Sequence, residues 1–238
     1  MSRLSGMSFV AAVLLSWPGR ASAQAGHYPL ESAQGLRLVN VAAEPVTLQG
    51  KKGLKLTLSP EAARRLEGLP PAQRDVEQLV VIEGVTFSSG TIEAEIAGDL
   101  APGAGELARG FVGIAFRLQD DKTYDAFYVR PTNGRAEDQE RRNHSAQYIS
   151  HPDWPWFRLR KETPSRYESY VDLVPGEWTR VRIEVRGDHA RLFVHDAAQP
   201  TLIVNDVKTG ATAKGAVALW LGPGTVAHFR NLTVKPAP

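Results

Sequence analysis

The sequence predicts an all-β fold, a sandwich of two antiparallel sheets, and three observations carry that expectation. Short segments rich in valine, isoleucine, leucine and aromatic residues recur from Gly35 to the C-terminus. Several alternate apolar and polar residues with a period of two, the period of a strand lying on a sheet. Gly, Pro, Asn and Asp separate them at short intervals, which is the punctuation of turns rather than of crossover helices.

The first 23 residues, MSRLSGMSFVAAVLLSWPGRASA, stand outside that pattern. Arg3 supplies a positive start, Phe9 to Trp17 an apolar stretch too short to span a bilayer, and Ala21-Ser22-Ala23 a cleavage site. This is the pattern of a secretory signal peptide, so the sequence predicts an exported protein, periplasmic or extracellular. The competing interpretation is a short N-terminal helix of the domain. No later apolar run is long enough for a membrane span. Residues 24–34 read as a flexible lead-in, and residues 35–238 as a single sandwich domain. One segment breaks the β pattern: PEAARRLEGLPPAQRD, Pro60 to Asp75, predicts a short helix near residues 60–68, broken by Pro70-Pro71.

Period-two alternation assigns faces to the later strands. Ile92, Ala94 and Ile96 face inward, with Glu93 and Glu95 outward. Val112, Ile114 and Phe116 form an apolar row, with Gly113, Ala115 and Arg117 opposite. Phe127 and Val129 face in, leaving Tyr124, Ala126, Tyr128 and Arg130 outside. Val181, Ile183 and Val185 face in, as do Val217, Leu219 and Leu221, with Ala218 and Trp220 turned away. One outer face therefore mixes tiny residues with arginine and aromatics, where a solvated face carries Lys, Glu and Thr. Such a face suits a ligand lying close across it, or a loop folded back over it. Between these strands, His144 to Ser150, Trp156 to Glu162 and Arg166 to Leu173 read as strands, with HPDWP as a tight connection. Thr132 to Asn143 remains a polar loop.

Composition narrows the partners. Removing the signal's Arg3 and Arg20 from the 28 Lys and Arg leaves parity with the 26 Asp and Glu. A neutral chain argues against a nucleic-acid partner held by bulk charge. The absence of cysteine excludes disulfides, zinc–thiolate sites and thiol nucleophiles.

The segments GFVGIAFR, YDAFYVRP, PGEWTRVRIEVRGDHARLFV, QPTLIVNDVK and GAVALWLGPGTVAHFRNLTV resemble a concanavalin A-like lectin/glucanase jelly roll. More narrowly, the stretch from about Gly84 onward resembles the 3-keto-disaccharide hydrolase domain family. Gly113-Ile114-Ala115-Phe116-Arg117 matches one family strand. The next, Gly-Tyr-Glu-x-Gln in the family, reads Thr123-Tyr124-Asp125-Ala126-Phe127 here, with aspartate for glutamate and phenylalanine for glutamine.

The chemistry the residues offer is that of sugars. Aromatic platforms meet the apolar C–H faces of a sugar while arginine forks reach its oxygens. Arg117, Tyr124, Tyr128, Arg130 and Trp220 are candidates on the sheet. Arg142, Tyr148, Asp153, Trp154, Trp156 and Arg158 are candidates on a rim, with Trp154 at a stiff hairpin tip between Pro152 and Pro155. The same arginines would equally be satisfied by a cross-strand ladder with Glu93, Glu95 and Glu184. Catalytic candidates are Glu93 and Glu95, two residues apart on one strand face, with Asp125 and His144. Paired carboxylates about 5–10 Å apart are what glycoside hydrolysis requires, though a solvated strand face has the same pattern. Asp120 and Asp121, with Asp125, form an oxygen-rich turn that could take Ca2+, or simply start a turn. The reading is of an exported carbohydrate-binding protein. The alternatives are an enzyme cleaving 3-keto-glycosides, by hydrolysis or elimination, and a structural envelope protein that binds a protein partner.

Overall fold

The computed structural model describes residues 25–70 and 73–237, so the proposed signal peptide lies outside the described residues. Among the described residues, fifteen strands form two antiparallel sheets packed face to face. One sheet contains β1 (Gly26–Tyr28), β3 (Val41–Leu48), β4 (Lys51–Leu58), β6 (Gly90–Leu100), β11 (Thr179–Arg186), β12 (His189–Val194), β13 (Leu202–Val204) and β15 (Thr225–Pro236). Its order is β13-β12-β11-β6-β15-β4-β3, with β1 added along β15. The other contains β2 (Leu36–Val39), β5 (Leu79–Phe87), β7 (Val112–Asp120), β8 (Thr123–Val129), β9 (Ala146–His151), β10 (Glu168–Ser169) and β14 (Gly215–Leu221). Its order is β10-β9-β8-β7-β14-β5-β2. Among the described residues no helix is long and apolar enough to cross a membrane.

The inward rows read from the alternation fill the space between the sheets. Ile92, Ile96, Ile114, Phe116, Phe127 and Ile183 are buried, and Phe116 meets Phe87 edge-on at 6.4 Å. Burial of apolar rows from both sheets at once is the main force holding such a sandwich. The early helix forms as the sequence predicts, α1 at Pro60–Leu66. Ser59 caps it by accepting from the Ala62 N–H at 3.1 Å, and proline opens its first turn.

Four expectations are corrected. The lead-in is not free chain, because Gly26–Tyr28 pairs with β15. Within the polar loop a short helix forms, α2 at Gln139–Asn143, capped by Asp138. Trp156 to Glu162 is not a strand but a helix, α3 at Trp156–Glu162. Its alternation of Trp, Phe, Arg, Leu and Arg also places partners four residues apart. Arg158 reaches Glu162 at 2.8 Å, and Arg160 stacks on Trp156 at 4.7 Å. Only Leu159 of the helix is buried, so one turn-facing contact suffices where a strand would need two faces. The strand expected over Arg166 to Leu173 shrinks to the two residues of β10.

The HPDWP connection is tight: Ser150 and Trp154 exchange backbone hydrogen bonds of 3.0 and 2.7 Å, and the His151–Pro152 peptide is cis.

Candidate functional site

The outer face of the seven-stranded sheet floors a cavity of about 560 Å³. Small residues make the floor. Gly113 lies opposite Tyr128 on one side and Trp220 on the other. A side chain there would collide with the Phe127 carbonyl at 2.2 Å and with Tyr128 Cβ at 2.5 Å. With only hydrogen at 113, the Tyr128 and Trp220 rings meet across it, centroids 4.7 Å apart. Phe111 closes on Tyr128 edge-on at 6.0 Å. The small residues thus seat aromatic rings, and the segments around Glu77 and Pro152 fold over as walls.

A hydrogen-bonded triangle sits in this cleft. Tyr124 donates its hydroxyl to Glu77 Oε2 and accepts from Trp220 Nε1 at 3.0 Å. His151 Nδ1 lies 2.8 Å from Glu77 Oε1 and 3.1 Å from the Tyr124 hydroxyl. A ring nitrogen facing a carboxylate oxygen is the protonated one, so Nε2 carries the free lone pair. About a quarter of the His151 side chain and a fifth of Glu77 remain exposed, whereas Tyr124 is fully buried. Burial, reinforced by the Glu77 charge, pushes the Tyr124 hydroxyl well above its usual range. Tyr124 therefore stays protonated and fixes Glu77, leaving His151 and Glu77 as the members of the triangle that face the cleft. Asp75 lines the same cavity, where burial and the Glu77 charge push its carboxyl pKa up. Asn40 holds this arrangement from behind, donating to the Glu77 carbonyl at 2.7 Å.

A second polar cluster borders the floor. Arg130 donates to the Tyr128 hydroxyl at 2.7 Å and to Gln147 Oε1 at 3.1 Å. Glu168 lies 3.6 Å from Arg130 and accepts from Arg160 Nε at 3.0 Å. Burial pushes the Tyr128 hydroxyl up to about 12, so it too remains protonated.

Tyr128, Trp156 and Trp220 line the cleft, and Tyr124 and Arg130 support it from beneath. Arg117 does not share that face. The register of β7 against β8 slips after Phe116, and Arg117 adopts a positive φ of 55°, which turns its side chain between the sheets. There it donates to the backbone carbonyls of Ser88, Gly187 and Gly210. Asp125 and Tyr148 are interior as well: Tyr148 donates to Asp125 Oδ1 at 2.6 Å, and neither residue reaches solvent. Glu93 and Glu95 stand on the other sheet, paired with Lys235 and Lys51. The four catalytic candidates are thus not brought together. His144 lies by itself beside Glu168, its Nδ1 3.0 Å from Oε2, and burial, opposed by the Glu168 charge, lowers its pKa.

On the rim, Trp154 packs against the core and is covered by Arg158 at 3.9 Å and Lys208 at 4.7 Å. Arg158 also donates to the carbonyl of exposed Asp153. Arg142 pairs with Tyr170 at 2.9 Å. The calcium candidates do not converge. Asp120 Oδ1 accepts from the Lys122 and Thr123 N–H groups, Asp121 holds Arg37 through both oxygens, and Asp125 is interior. Those three residues do not fit a calcium ion.

Sequence reasoning missed Glu77, Phe111 and Asn40. It offers His151, which with His144 flanks a predicted strand near Asp138, Glu140 and Asp153, as a general base or metal ligand beside a carboxylate, but the carboxylate that His151 meets is Glu77. Glu77 and His151 are 74 residues apart in the chain, and no spacing rule joins a residue before β5 to one at the end of β9.

A two-sheet antiparallel sandwich of this kind is the architecture of the concanavalin A-like lectins and glucanases. Within it, the chain belongs to the family described as 3-keto-alpha-glucoside-1,2-lyase-like domain, whose model matches residues 77–235. Among solved structures, the carbohydrate-binding module CBM66 from Bacillus subtilis superposes with a TM-score of 0.54 at 15% identity, covering 84% of this chain and 96% of that one. A Bacillus subtilis protein of unknown function with a galectin-like fold gives 0.52 at 12% identity, over 88% and 94% of the two chains. Peanut lectin gives 0.50 at 8% identity, over 90% and 97%. At these identities the likeness is one of fold. No curated protein matches the sequence.

Proposed function

We propose that this is an exported sugar-processing protein whose cleft on the seven-stranded sheet binds a 3-keto-glycoside and eliminates its C1 substituent, with His151 as the base. The observation that carries the reading is the Tyr124–His151–Glu77 triangle, which presents a partly exposed imidazole inside a cavity walled by aromatic rings. The family description points to elimination across C1 and C2 of a 3-keto-glucoside, with loss of the C1 substituent.

The chemistry suits these groups. The C2 proton of such a sugar lies next to the ketone and is acidic. Its transfer to His151 Nε2 moves the electron pair into a C2–C3 enolate. Collapse of the enolate forms the C1=C2 double bond as the C1–O bond breaks; the departing oxygen takes a proton from water, and His151 gives its proton back to solvent. Neither oxidant nor reductant is needed. Glu77 fixes the imidazole tautomer and balances its charge once protonated, and Tyr124 fixes Glu77.

A reading as a binding protein without turnover has one observation in its favour: Asp125 and Phe127, which replace the family's polar pair, are buried in the core. One experiment separates the two. Purified protein is incubated with a 3-keto-α-glucoside while the unsaturated ketone and the released alcohol are quantified, and sugar affinity is measured in parallel by calorimetry. Turnover that falls at least about 100-fold in His151→Ala and Glu77→Gln, with affinity retained, is the expected result. Tight binding with no turnover would establish the binding protein instead.

A further inference from the structure

Trp156 is the first residue of α3 and stands at the mouth of the cleft with 43% of its surface exposed. A lone exposed apolar side chain is ordinary, but adjacent exposed aromatic rings at the edge of a cleft make a contiguous apolar patch of the kind that binds a ligand. The neighbouring Phe157, 60% exposed, meets Trp156 edge-on at 5.8 Å, so the two rings make one apolar ledge.

The ledge is held from one side. The Arg160 guanidinium lies 4.7 Å from the centroid of the Trp156 ring. Arg160 is itself fixed by two hydrogen bonds to Glu168, whose side chain is 3% exposed. Arg130, beneath the cleft floor, faces the same carboxylate at 3.6 Å. A chain of charge contacts therefore runs from the floor beside Tyr128, through Glu168 and Arg160, to the underside of the indole. A cation behind an aromatic ring both immobilises it and leaves the opposite face free. An aromatic face fixed before binding costs little entropy when a ligand settles on it.

We propose that Trp156 is the specificity-determining platform for the leaving group, stacking on the C–H face of the second sugar ring of a disaccharide, and that Arg160 is its positioning residue. The inference rests on the cleft reading above. The cavity of about 560 Å³ is lined by both His151 and Trp156 and holds more than one pyranose ring. If the ring losing its proton lies against His151, its C1 substituent occupies the rest of the same cavity. Trp156 lines that same cavity, and its polar surroundings suit the hydroxyl rim of a sugar better than a purely apolar group.

The test compares a 3-keto-disaccharide with the corresponding methyl 3-keto-glucoside, which lacks the second ring. In the native protein the disaccharide should have about tenfold higher kcat/KM, and Trp156→Ala should erase that preference by a loss on the disaccharide far larger than on the methyl glycoside. Trp156→Phe should restore most of it. Arg160→Gln should reduce the preference without changing the methyl glycoside. A purely structural role would lower both substrates together. Calorimetry with the same two sugars keeps the test independent of catalysis: without any turnover, a disaccharide affinity advantage lost in Trp156→Ala still supports the platform. A preference that survives Trp156→Ala, or equal losses on both sugars, would overturn it. So would a fall in solution mass on Trp156→Ala, which would make the ledge a contact between copies.

Discussion

Arg117 and Asp125 lie 4.0 Å apart between the sheets, and neither side chain reaches solvent. Arg117 ties the backbone of Ser88, Gly187 and Gly210 together, and Asp125 accepts from Tyr148 and Thr209. Each charge is tolerated only because the other end of the network answers it. Replacing Arg117 by Met should therefore cost about 3–5 kcal/mol in urea unfolding, because it strands a buried carboxylate. Any loss of function in that variant should follow the folded fraction rather than the chemistry. Asp125 adds a pH dependence. Burial raises its pKa above 3.8 in the folded chain, opposed by its hydrogen bonds and by Arg117. The folded protein then holds the proton more tightly than the unfolded one. The associated stabilisation is complete below the unfolded value and is lost as pH rises through the folded value. Asp125→Asn should abolish that segment of the stability curve, seen as a difference in urea midpoint that changes from about pH 4 upward.

The hairpin and α3 separate two tryptophans that stand two residues apart. Trp154 is clamped between Arg158 and Lys208 on the core, whereas Trp156 opens into the cleft. Trp154→Ala should thus lower stability by about 2 kcal/mol, a Tm fall of about 4–8 °C, with sugar affinity unchanged within twofold. Calorimetric melting alongside sugar titration reads both quantities. A loss of affinity at an unchanged Tm would instead place Trp154 in the site. The sequence gives this segment the wrong element, because seven residues alternating in polarity satisfy both a strand and two turns of helix. The i,i+4 pairs Trp156–Arg160 and Arg158–Glu162 decide it. The same limit hides the bulge at Arg117. A single extra residue inverts the facing of a side chain without altering the composition around it. Where strands run unbroken, as in Ile92 to Ile96 or Val181 to Val185, alternation assigns every face correctly.

At the scale of the whole molecule the sandwich has two outer faces that cannot cooperate. Sheets pack about 10 Å apart, with a filled core between them. Period two shows Glu93 and Glu95 facing away from that core, but which sheet they belong to depends on long-range pairing that alternation does not encode. They lie in the middle of the eight-stranded sheet, opposite Arg182 and Arg180. There they line a separate depression of about 290 Å³ with Phe193 and Asn231. Burial alone would raise the pKa of Glu95, but hydrogen bonds from Lys51 and Asn231 and the charge of Arg230 outweigh it and hold the carboxyl below its usual range. That group stays ionised and paired, which fits a cross-strand ladder rather than a proton donor. Converting Glu93 and Glu95 together to Gln should therefore leave both sugar affinity and elimination within about twofold of native, and cost about 1 kcal/mol of stability from lost pairs that are only partly buried. Under the same assay, Glu77→Gln on the opposite face should abolish turnover. If the double variant were inactive while fully folded, the reacting carboxylates would belong to the eight-stranded sheet, and the cleft over Gly113 would lose its claim to the chemistry.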